Sequence, residues 1–405
     1  MMTMMLPDAT STRPSSPASE RSDPPRRIGR IETFLVPPRW LFVRVESNDG
    51  AFGWGEASLE GWVEAVDGAF EALRDRFIGA DPFAIEDIWQ VGYRGGFYRG
   101  GPVLMSALAG LEQALWDLKG RVLGLPAWQM LGGKVRDKVR SYAWIGGDRP
   151  HEIAEAAEVR RNQGFTAVKM NATAELDWIG TPKLFAEVIK RVEAAQALGL
   201  DIGLDFHGRV HRPLAKQLAK ALEPLGLLFI EEPLLSENPE GLREIAQLVS
   251  TPIALGERLF SRWDFKPFFE MGAVDIIQPD LSHAGGILEV RKIAAMAEAY
   301  DVAVAPHCPL GPLALGACLQ IAACTPNHAI QEISLGIHYN TGGHDLLTFC
   351  TNKEALTPVG GYLPVPEGPG LGVDIDEAAV READKDRHRW RNPIFRTSDG
   401  SFAEW

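Results

Sequence analysis

The sequence predicts an α/β protein that contains a TIM barrel, and two observations carry this prediction. Strand-length apolar runs, each followed by a helical stretch, recur eight times between about residues 139 and 336. Three acidic residues follow three of these runs at equal intervals, since 26 residues separate Asp205 from Glu231 and another 26 separate Glu231 from Glu257. Eight parallel strands with intervening helices form a TIM barrel, whose active site lies at the C-terminal ends of the strands.

Composition and charge argue against several classes of protein. The 405 residues are 45% hydrophobic, which allows one large domain and a smaller one. The net charge of −13 argues against nucleic acid and anionic membranes as partners. No apolar run approaches a membrane span of roughly 20 residues, and the N-terminus lacks the features of a signal peptide. Four cysteines without C-x-x-C spacing predict reduced thiols in a cytoplasmic protein, namely Cys308, Cys318, Cys324 and Cys350.

The part of the chain before the barrel predicts a tail and a small domain. Residues 1–27 are rich in Ser and Pro and predict a disordered tail. Residues 28–138 predict an α+β domain in which strands precede helices. We predict its strands at Arg30–Val36, Trp40–Glu46 and Phe52–Ala57. Leucines at spacings of 4, 3, 4 and 3 residues, from Leu104 to Leu118, predict an amphipathic helix.

The barrel is predicted to span residues 139–336. Its eight strands are predicted at Val139–Trp144, Ala167–Met170, Asp201–Phe206, Leu228–Glu231, Ile253–Glu257, Asp275–Gln278, Val302–Ala305 and Ala329–Glu332. Residues 337–405 contain several Gly and Pro and no clear βα unit. We expect this C-terminal segment to pack back on the first domain.

The three equally spaced carboxylates predict a metal site. A single acidic residue after a strand is often only a helix N-cap or a solvated charge. Three carboxylates side by side at a barrel rim would repel one another and be costly to desolvate, and a divalent cation removes both problems. Ligation by oxygen alone suits magnesium or manganese. We therefore predict that Asp205, Glu231 and Glu257 bind such a cation.

Histidines at two strand ends predict proton transfer. His207 follows Asp205 by two residues, and the strand period of two predicts that both side chains point the same way. His307 follows the seventh strand, and Asp280 on the adjacent strand would raise its basicity and fix its tautomer. A lone histidine at a strand end is more often a packed residue, but two opposed imidazoles beside a metal favour a proton-transfer site.

Longer motifs resemble the enolase superfamily and, within it, the mandelate racemase subgroup. The resemblance extends over almost the whole chain after the tail. Its main stretches are Pro37-Pro38-Arg39-Trp40, Tyr93 to Pro102, Ala114-Leu115-Trp116-Asp117, Gly146 to Pro150, Leu204 to Arg209, Gln278 to Gly286, Ala305 to Pro312, Gly336 to Asn340, Trp390 to Pro393, and Ala403-Glu404-Trp405.

The resemblance implies a fold and a set of roles. The fold would be a modified (β/α)₇β TIM barrel with an N-terminal α+β capping domain completed by the C-terminal segment. The resemblance assigns Mg²⁺ binding to Asp205, Glu231 and Glu257. It implies that His307, supported by Asp280, is the base that removes the proton α to a substrate carboxylate. His207 would be the acid that assists departure of the 3-hydroxyl. Glu332 would donate a hydrogen bond to the enediolate intermediate, so it must be protonated when it donates.

The implied reaction is dehydration of an acid sugar. The similarity is greatest to the branch of the subgroup that converts D-galactonate to 2-keto-3-deoxy-D-galactonate, so Mg²⁺ and a small acid sugar are the implied cofactor and partner. Many relatives have a second lysine where this chain has Asn171, and its absence disfavours a two-base racemase. Dehydration of another aldonate such as D-gluconate, and an epimerase or racemase of a 2-hydroxy acid, remain alternatives. We also expect a homo-oligomer.

Three other classes are less consistent with the residues. A metal-dependent amidohydrolase would need an H-x-H motif at an early strand, which the sequence lacks. A Schiff-base aldolase would need a lysine at a strand end, for which Lys169 qualifies, but the carboxylates would then have no role. A non-catalytic barrel would leave the convergent ionisable groups without explanation.

Overall fold

The computed structural model describes residues 25–147 and 153–405. The predicted tail lies almost entirely outside the described residues. Within them, the chain forms a small antiparallel sheet with helices, followed by a parallel barrel and a C-terminal segment. The predicted fold class is therefore confirmed. No helix among the described residues is both long and apolar enough to cross a membrane.

The N-terminal part, which we call the capping domain, is an antiparallel sheet covered by helices. The strands are β1 (Ile28–Val36), β2 (Trp40–Ser47) and β3 (Phe52–Glu56), in the order β1-β2-β3. The helices are α1 (Val63–Phe77), α2 (Ile85–Arg94), α3 (Pro102–Leu123) and α4 (Ala127–Met130). All three predicted strands are present with shifts of one or two residues at their ends.

The predicted helix is present as α3, but the prediction that it is amphipathic was wrong. Leu104, the first leucine of the pattern, is 53% exposed, whereas Glu112, Gln113 and Asp117 are buried. The helix packs on the sheet with one side and faces the barrel with another, so it is buried almost all round. Its polar residues are buried because they bond to other parts of the chain, which a periodicity of apolar residues does not reveal.

Among the described residues, eight parallel strands alternate with seven helices in the barrel. The strands are β4 (Lys138–Ile145), β5 (Ala167–Asn171), β6 (Asp201–Asp205), β7 (Phe229–Glu231), β8 (Ile253–Leu255), β9 (Ile276–Ile277), β10 (Ala303–Val304) and β11 (Gln331–Ile333). The helices are α5 (Ile153–Asn162), α6 (Pro182–Gln196), α7 (Arg212–Leu222), α8 (Pro239–Leu248), α9 (Arg262–Met271), α10 (Ile287–Ala299) and α11 (Pro312–Cys324). Strand β11 pairs with β4, and a bridge from Val304 to His328 closes the ring between β10 and β11.

Four of the predicted barrel strands, β6, β8, β9 and β10, end one or two residues earlier than expected. Strand β8 ends at Leu255, so Glu257 lies in the following loop and not in the strand. The chain turns at Gly256, whose φ is +149° and whose missing side chain leaves room for the backbone of Gln278, 2.8 Å from where a Cβ would stand. A residue with a side chain would be strained here. The glycine therefore lets the end of β8 approach the next strand closely.

The segment after Gly336 contacts both of the preceding parts. Strand β12 (Tyr362–Pro364) pairs antiparallel with β4, and α12 (Glu377–Asp384) packs against β1. Strands β13 (Phe395–Arg396) and β14 (Phe402–Ala403) form a small hairpin. The segment thus packs on the barrel as well as on the capping domain. We propose the domain boundaries near residues 138 and 336, where the pattern of elements changes.

Two buried carboxylates of the capping domain bind the start of two barrel helices. Glu56 accepts hydrogen bonds from the backbone N–H groups of Gly311 (2.8 Å) and Ala314 (3.0 Å) at the start of α11. Glu112 accepts from Ile287 (2.7 Å) and Leu288 (2.9 Å) at the start of α10. These N–H groups have no partner within their own helices, and the helix dipole favours a negative charge there.

Glycines make these contacts sterically feasible. A Cβ on Gly311 would lie 2.7 Å from the Glu56 carboxylate, and one on Gly286 would collide with the carboxylate of Glu112. Helix α11 directly follows the loop that carries His307, and α10 follows the loop that carries Asp280. The capping domain therefore holds the two loops that carry the predicted base and its partner.

Candidate active site

A cavity of about 370 Å³ opens at the C-terminal ends of the barrel strands. Both domains and the C-terminal segment contribute to its walls. Its polar and aromatic lining includes Arg39, Glu60, Trp144, Lys169, Asp205, His207, Glu257, His283, His307, Glu332, Tyr339 and Trp405. Five of the seven predicted site residues line the cavity, and the other two, Glu231 and Asp280, lie behind them in contact with Lys169 and His307.

Adjacent strands bring the first two predicted metal ligands together. Asp205 and Glu231 are register partners on β6 and β7, and both are almost fully buried. Glu231 accepts hydrogen bonds from Lys169 Nζ (3.0 Å) and from the amide of Gln278 (2.7 Å). Burial raises the pKa of Glu231 well above its usual range, and the charges of Asp205 and Glu257 raise it further despite Lys169. The three carboxylates are thus close enough to repel one another.

These carboxylates fit a divalent cation. Their donor atoms are all oxygens, which suits Mg²⁺, and their mutual repulsion is the energetic problem that a bound cation relieves. Each of them contacts a basic side chain, with Glu231 on Lys169, Asp205 on His207 and Glu257 on His307. A second set, formed by Asp280, His283 and His307, has ligand atoms within 4.8 Å of one another. Two imidazoles in that set suit a transition metal better than magnesium.

His207 contacts Asp205 as expected, but not for the expected reason. Strand β6 ends at Asp205, and His207 has φ of +55°, in the left-handed region. The two side chains meet because the backbone turns back, so that His207 Nδ1 lies 2.9 Å from Asp205 Oδ2. The N–H of His207 also donates to Asp205 Oδ1, at 2.6 Å. Strand periodicity could not predict this turn, which is costly for a non-glycine residue.

His307 is held between two carboxylates. Its Nδ1 lies 2.9 Å from Asp280 Oδ2, which is the contact predicted from the sequence, and its Nε2 lies 3.0 Å from Glu257 Oε2. Asp280 is fixed in turn by the N–H groups of Ser282 and His283. Burial lowers the pKa of His307, but Glu257 and Asp280 raise it to well above its usual range. Asp280 favours a proton on Nδ1 of His307. The other ring nitrogen, Nε2, faces the cavity and contacts Glu257 there.

Lys169 links the acid cluster to Glu332. Its Nζ lies 2.9 Å from Glu332 Oε1, and Glu332 Oε2 accepts from the N–H of Cys308 at 3.0 Å. Both oxygens of Glu332 therefore accept hydrogen bonds here. Burial lowers the pKa of Lys169, but Glu231 and Glu332 raise it well above its usual range. A Schiff-base lysine needs a neutral amine, so these contacts weigh against the aldolase alternative.

Three further polar residues of the cavity were not singled out from the sequence. Glu60 of the capping domain lies 3.3 Å from Nε2 of His283 and 4.0 Å from the guanidinium of Arg39. The charges of Asp280 and Glu60 raise the pKa of His283 to about 9, although its burial lowers it. His283 follows Asp280 by three residues, a spacing that could have suggested it. Glu60 carries no such signal, because it reaches the site from another domain, and Arg39 was marked only as part of the motif Pro37-Pro38-Arg39-Trp40.

Aromatic rings form one wall of the cavity. The ring of Trp405 lies edge to face with His207, with centroids 5.8 Å apart and an interplanar angle of 86°. The ring centroid of Trp405 also lies 6.0 Å from that of Trp390 and 6.4 Å from that of Tyr339. The Arg39 guanidinium stacks over Tyr339 at 4.1 Å. The wall therefore joins the capping domain to the C-terminal segment.

Comparison with known families identifies the class of protein. The profile described as "Enolase C-terminal domain-like" matches residues 152–379, and "Mandelate racemase / muconate lactonizing enzyme, N-terminal domain" matches residues 33–132. The chain belongs to the enolase superfamily and to its mandelate racemase subgroup, which confirms the resemblance seen in the sequence.

Individual relatives narrow the similarity. The D-galactonate dehydratase of Ralstonia pickettii (strain 12J) is 53% identical over 382 residues, which cover 94% of this chain and all of that protein. A solved enolase of Agrobacterium radiobacter, provisionally assigned as a galactarate dehydratase and bound to Na and L-malate, is 30% identical with a TM-score of 0.84, covering 94% of this chain and 100% of that one. A provisionally assigned dehydratase from Zymomonas mobilis ZM4 is 32% identical with a TM-score of 0.82, covering 88% and 98%.

Proposed function

We propose that this protein is a hydro-lyase that dehydrates D-galactonate to 2-keto-3-deoxy-D-galactonate with Mg²⁺. One observation carries the proposal: two histidines, each bonded to its own carboxylate, face one cavity beside a cluster of acidic residues. Such a site suits removal of one proton and delivery of another. The relative from Ralstonia pickettii, similar over its full length, supports this reaction and this substrate.

His307 is the proposed base. Asp280 holds a proton on Nδ1, so Nε2 is the nitrogen that would take the proton from C2 of the substrate when the imidazole is neutral. A C–H bond beside a carboxylate is weakly acidic, because the resulting dianion is unstable unless charge is stabilised as it develops. Mg²⁺ held by Asp205, Glu231 and Glu257 would supply positive charge beside the substrate carboxylate. Lys169 adds a buried positive charge next to Glu332 on the same wall.

His207 is the proposed acid. Hydroxide leaves poorly, so the 3-hydroxyl needs a proton as its bond to carbon breaks. Asp205 holds Nδ1 of His207, which leaves Nε2 to donate this proton. General acid assistance of this kind contributes about 10²–10⁴-fold. Loss of water forms an enol, which tautomerises to the 2-keto-3-deoxy acid.

A panel of acid sugars tests the proposal. We would measure kcat/KM for 2-keto acid formation from D-galactonate, D-gluconate, D-mannonate and the corresponding pentonates. D-Galactonate should be preferred by at least about tenfold, because unpaired polar groups in a site discriminate strongly between epimers. Preference for D-gluconate or another aldonate would overturn the proposed substrate and leave the proposed reaction, dehydration of an acid sugar, intact. Racemisation without 2-keto acid would support the epimerase alternative, which Asn171 on β5 disfavours.

Two broader features of the protein are also proposals. We propose a cytoplasmic location, supported by four cysteines that are all free and buried. We propose a homo-oligomer, with no nucleic acid or membrane as partner.

A further inference from the structure

We propose that Trp405 is a positioning residue for His207, which it shields from water and holds in place for proton delivery. The inference rests on the proposed function of His207 as the acid. It starts from the edge-to-face contact between the two rings and from the position of Trp405 in the cavity wall.

The imidazole of His207 is restrained from several sides. Asp205 binds its Nδ1 at 2.9 Å and its backbone N–H at 2.6 Å, and Arg258 donates to its carbonyl oxygen at 3.0 Å. These contacts fix the backbone of His207 and its Nδ1. The rest of the imidazole ring makes none of these hydrogen bonds, so only the side chains packed against it limit its rotation and its contact with water. Trp405 supplies an aromatic neighbour, and the side chain of the general acid is only 18% exposed. Perpendicular aromatic pairs of this kind are favourable and directional.

The segment that carries Trp405 is tied to the capping domain. Arg391 pairs with Glu64 of α1 through both of its terminal nitrogens, at 2.7 and 3.0 Å. Asn392 packs so closely on Gly61 that a Cβ on that glycine would overlap with the amide. Because Trp390 and Tyr339 also contact Trp405, the indole has aromatic support besides the ring of His207. Contacts with the capping domain and with these two rings therefore hold the indole of Trp405 in the cavity wall.

The indole nitrogen offers a second, independent observation. Nε1 of Trp405 is shielded from solvent and has no hydrogen-bond partner among the described residues. A buried donor without a partner is costly, and such groups are usually satisfied by another part of the protein, water or a ligand. A hydroxyl of a sugar acid in the cavity is a suitable acceptor. The two observations assign Trp405 to the half of the site that handles the leaving hydroxyl.

The decisive test compares two reactions in the full-length protein loaded with Mg²⁺. Trp405→Ala should lower kcat for dehydration by about tenfold or more, a part of what general acid catalysis contributes, while exchange of the C2 proton with D₂O stays within a factor of about three. Trp405→Phe keeps a ring and should retain most of the dehydration rate, with a higher KM from the lost N–H. A parallel fall of both reactions would overturn the proposal, because Trp405 would then support the whole site.

A second measurement does not depend on turnover. Diethyl pyrocarbonate modifies exposed neutral imidazoles, and peptide mass spectrometry reports each histidine separately. Trp405→Ala should speed modification of His207 severalfold and Trp405→Phe should not. Trp178, which stacks on His211 with centroids 3.9 Å apart and lies outside the cavity, provides the matched control. Trp178→Ala should speed modification of His211 alone and leave dehydration unchanged.

The two measurements separate this inference from the proposed function. If the protein without substitutions dehydrates none of the acid sugars, the proposed function fails. The rates of modification by diethyl pyrocarbonate then decide alone whether Trp405 shields His207. An unchanged rate for His207 in Trp405→Ala would overturn the shielding role whatever the substrate proves to be.

Discussion

Lys169 Nζ lies 2.9 Å from Glu332 Oε1 in the wall of the cavity, and both side chains are buried. Removing one partner of a buried ion pair leaves an uncompensated charge, which costs about 3–5 kcal/mol. We therefore expect Lys169→Met to lower the free energy of unfolding by that amount, measured in urea. The double variant Lys169→Met with Glu332→Gln should recover part of the loss. If the two changes were additive, the pair would not be coupled.

Metal removal should abolish the proposed activity. EDTA should stop 2-keto acid formation and excess Mg²⁺ should restore it, because the acid cluster would otherwise lack the charge that stabilises the enediolate. Asp205→Asn, Glu231→Gln and Glu257→Gln should each be inactive with an unchanged circular dichroism spectrum. Glu270→Gln, a change of the same kind on the exposed surface of α9, serves as the control and should be fully active. Full activity in metal-free buffer would contradict the metal site.

The set of Asp280, His283 and His307 gives a separate prediction. His283→Asn leaves the oxygen ligands untouched, so the Mg²⁺ concentration for half-maximal activity should change less than about twofold, although kcat falls as Asp280 loses a neighbour. Isothermal titration with Mg²⁺ checks this directly. Loss of Mg²⁺ binding in His283→Asn would place the cation in this second set and not among the carboxylates.

Substitution of each histidine should affect a different step. His307→Asn should lose both dehydration and C2 proton exchange with D₂O, because the base is gone. His207→Asn should lose dehydration by about 10²-fold or more yet retain some exchange through His307. Both rates can be followed in one sample by NMR. The roles would be reversed if His207→Asn lost exchange while His307→Asn kept it.

Glu112 should make stability depend on pH. Burial raises the pKa of this carboxyl to about 8, despite the N–H groups that it accepts from, while in the unfolded chain it titrates near 4.5. The folded protein then holds more protons than the unfolded one between these values. Stability from this group is present below about pH 4.5 and is lost as pH rises towards 8, with a slope of at most about 1.4 kcal/mol per pH unit. In Glu112→Gln, the free energy of unfolding measured in urea should depend less on pH over this range. An unchanged slope against pH would contradict the assignment.

Much of the fold could be predicted from local patterns. The eight barrel strands follow from apolar runs of strand length, and the spacing of Asp205, Glu231 and Glu257 follows from the repeat of the βα unit. The contact between Asp280 and His307 could be predicted because their strands are neighbours. The roles of these residues in catalysis remain predictions.

Other features depend on long-range contacts that a single sequence does not contain. The burial of Glu112 depends on α10, which lies 175 residues further along the chain. The placement of Glu60 and Arg39 in the cavity depends on how the capping domain sits on the barrel. The left-handed turn at His207 is set by Asp205 and Arg258 together, against the intrinsic preference of the residue. Tertiary contacts overrule local preference at all these positions.

The contacts made by Glu56 and Glu112 bear on how this protein can be recombined with its relatives. Each contact has one half in the capping domain and the other half in a barrel glycine that leaves room for the carboxylate, Gly311 or Gly286. A chimera that exchanges the capping domain alone inherits only one half of each pair. Grafts that carry both halves together keep both contacts, whereas a domain swap keeps them only if the relative has a carboxylate or a glycine at the same place.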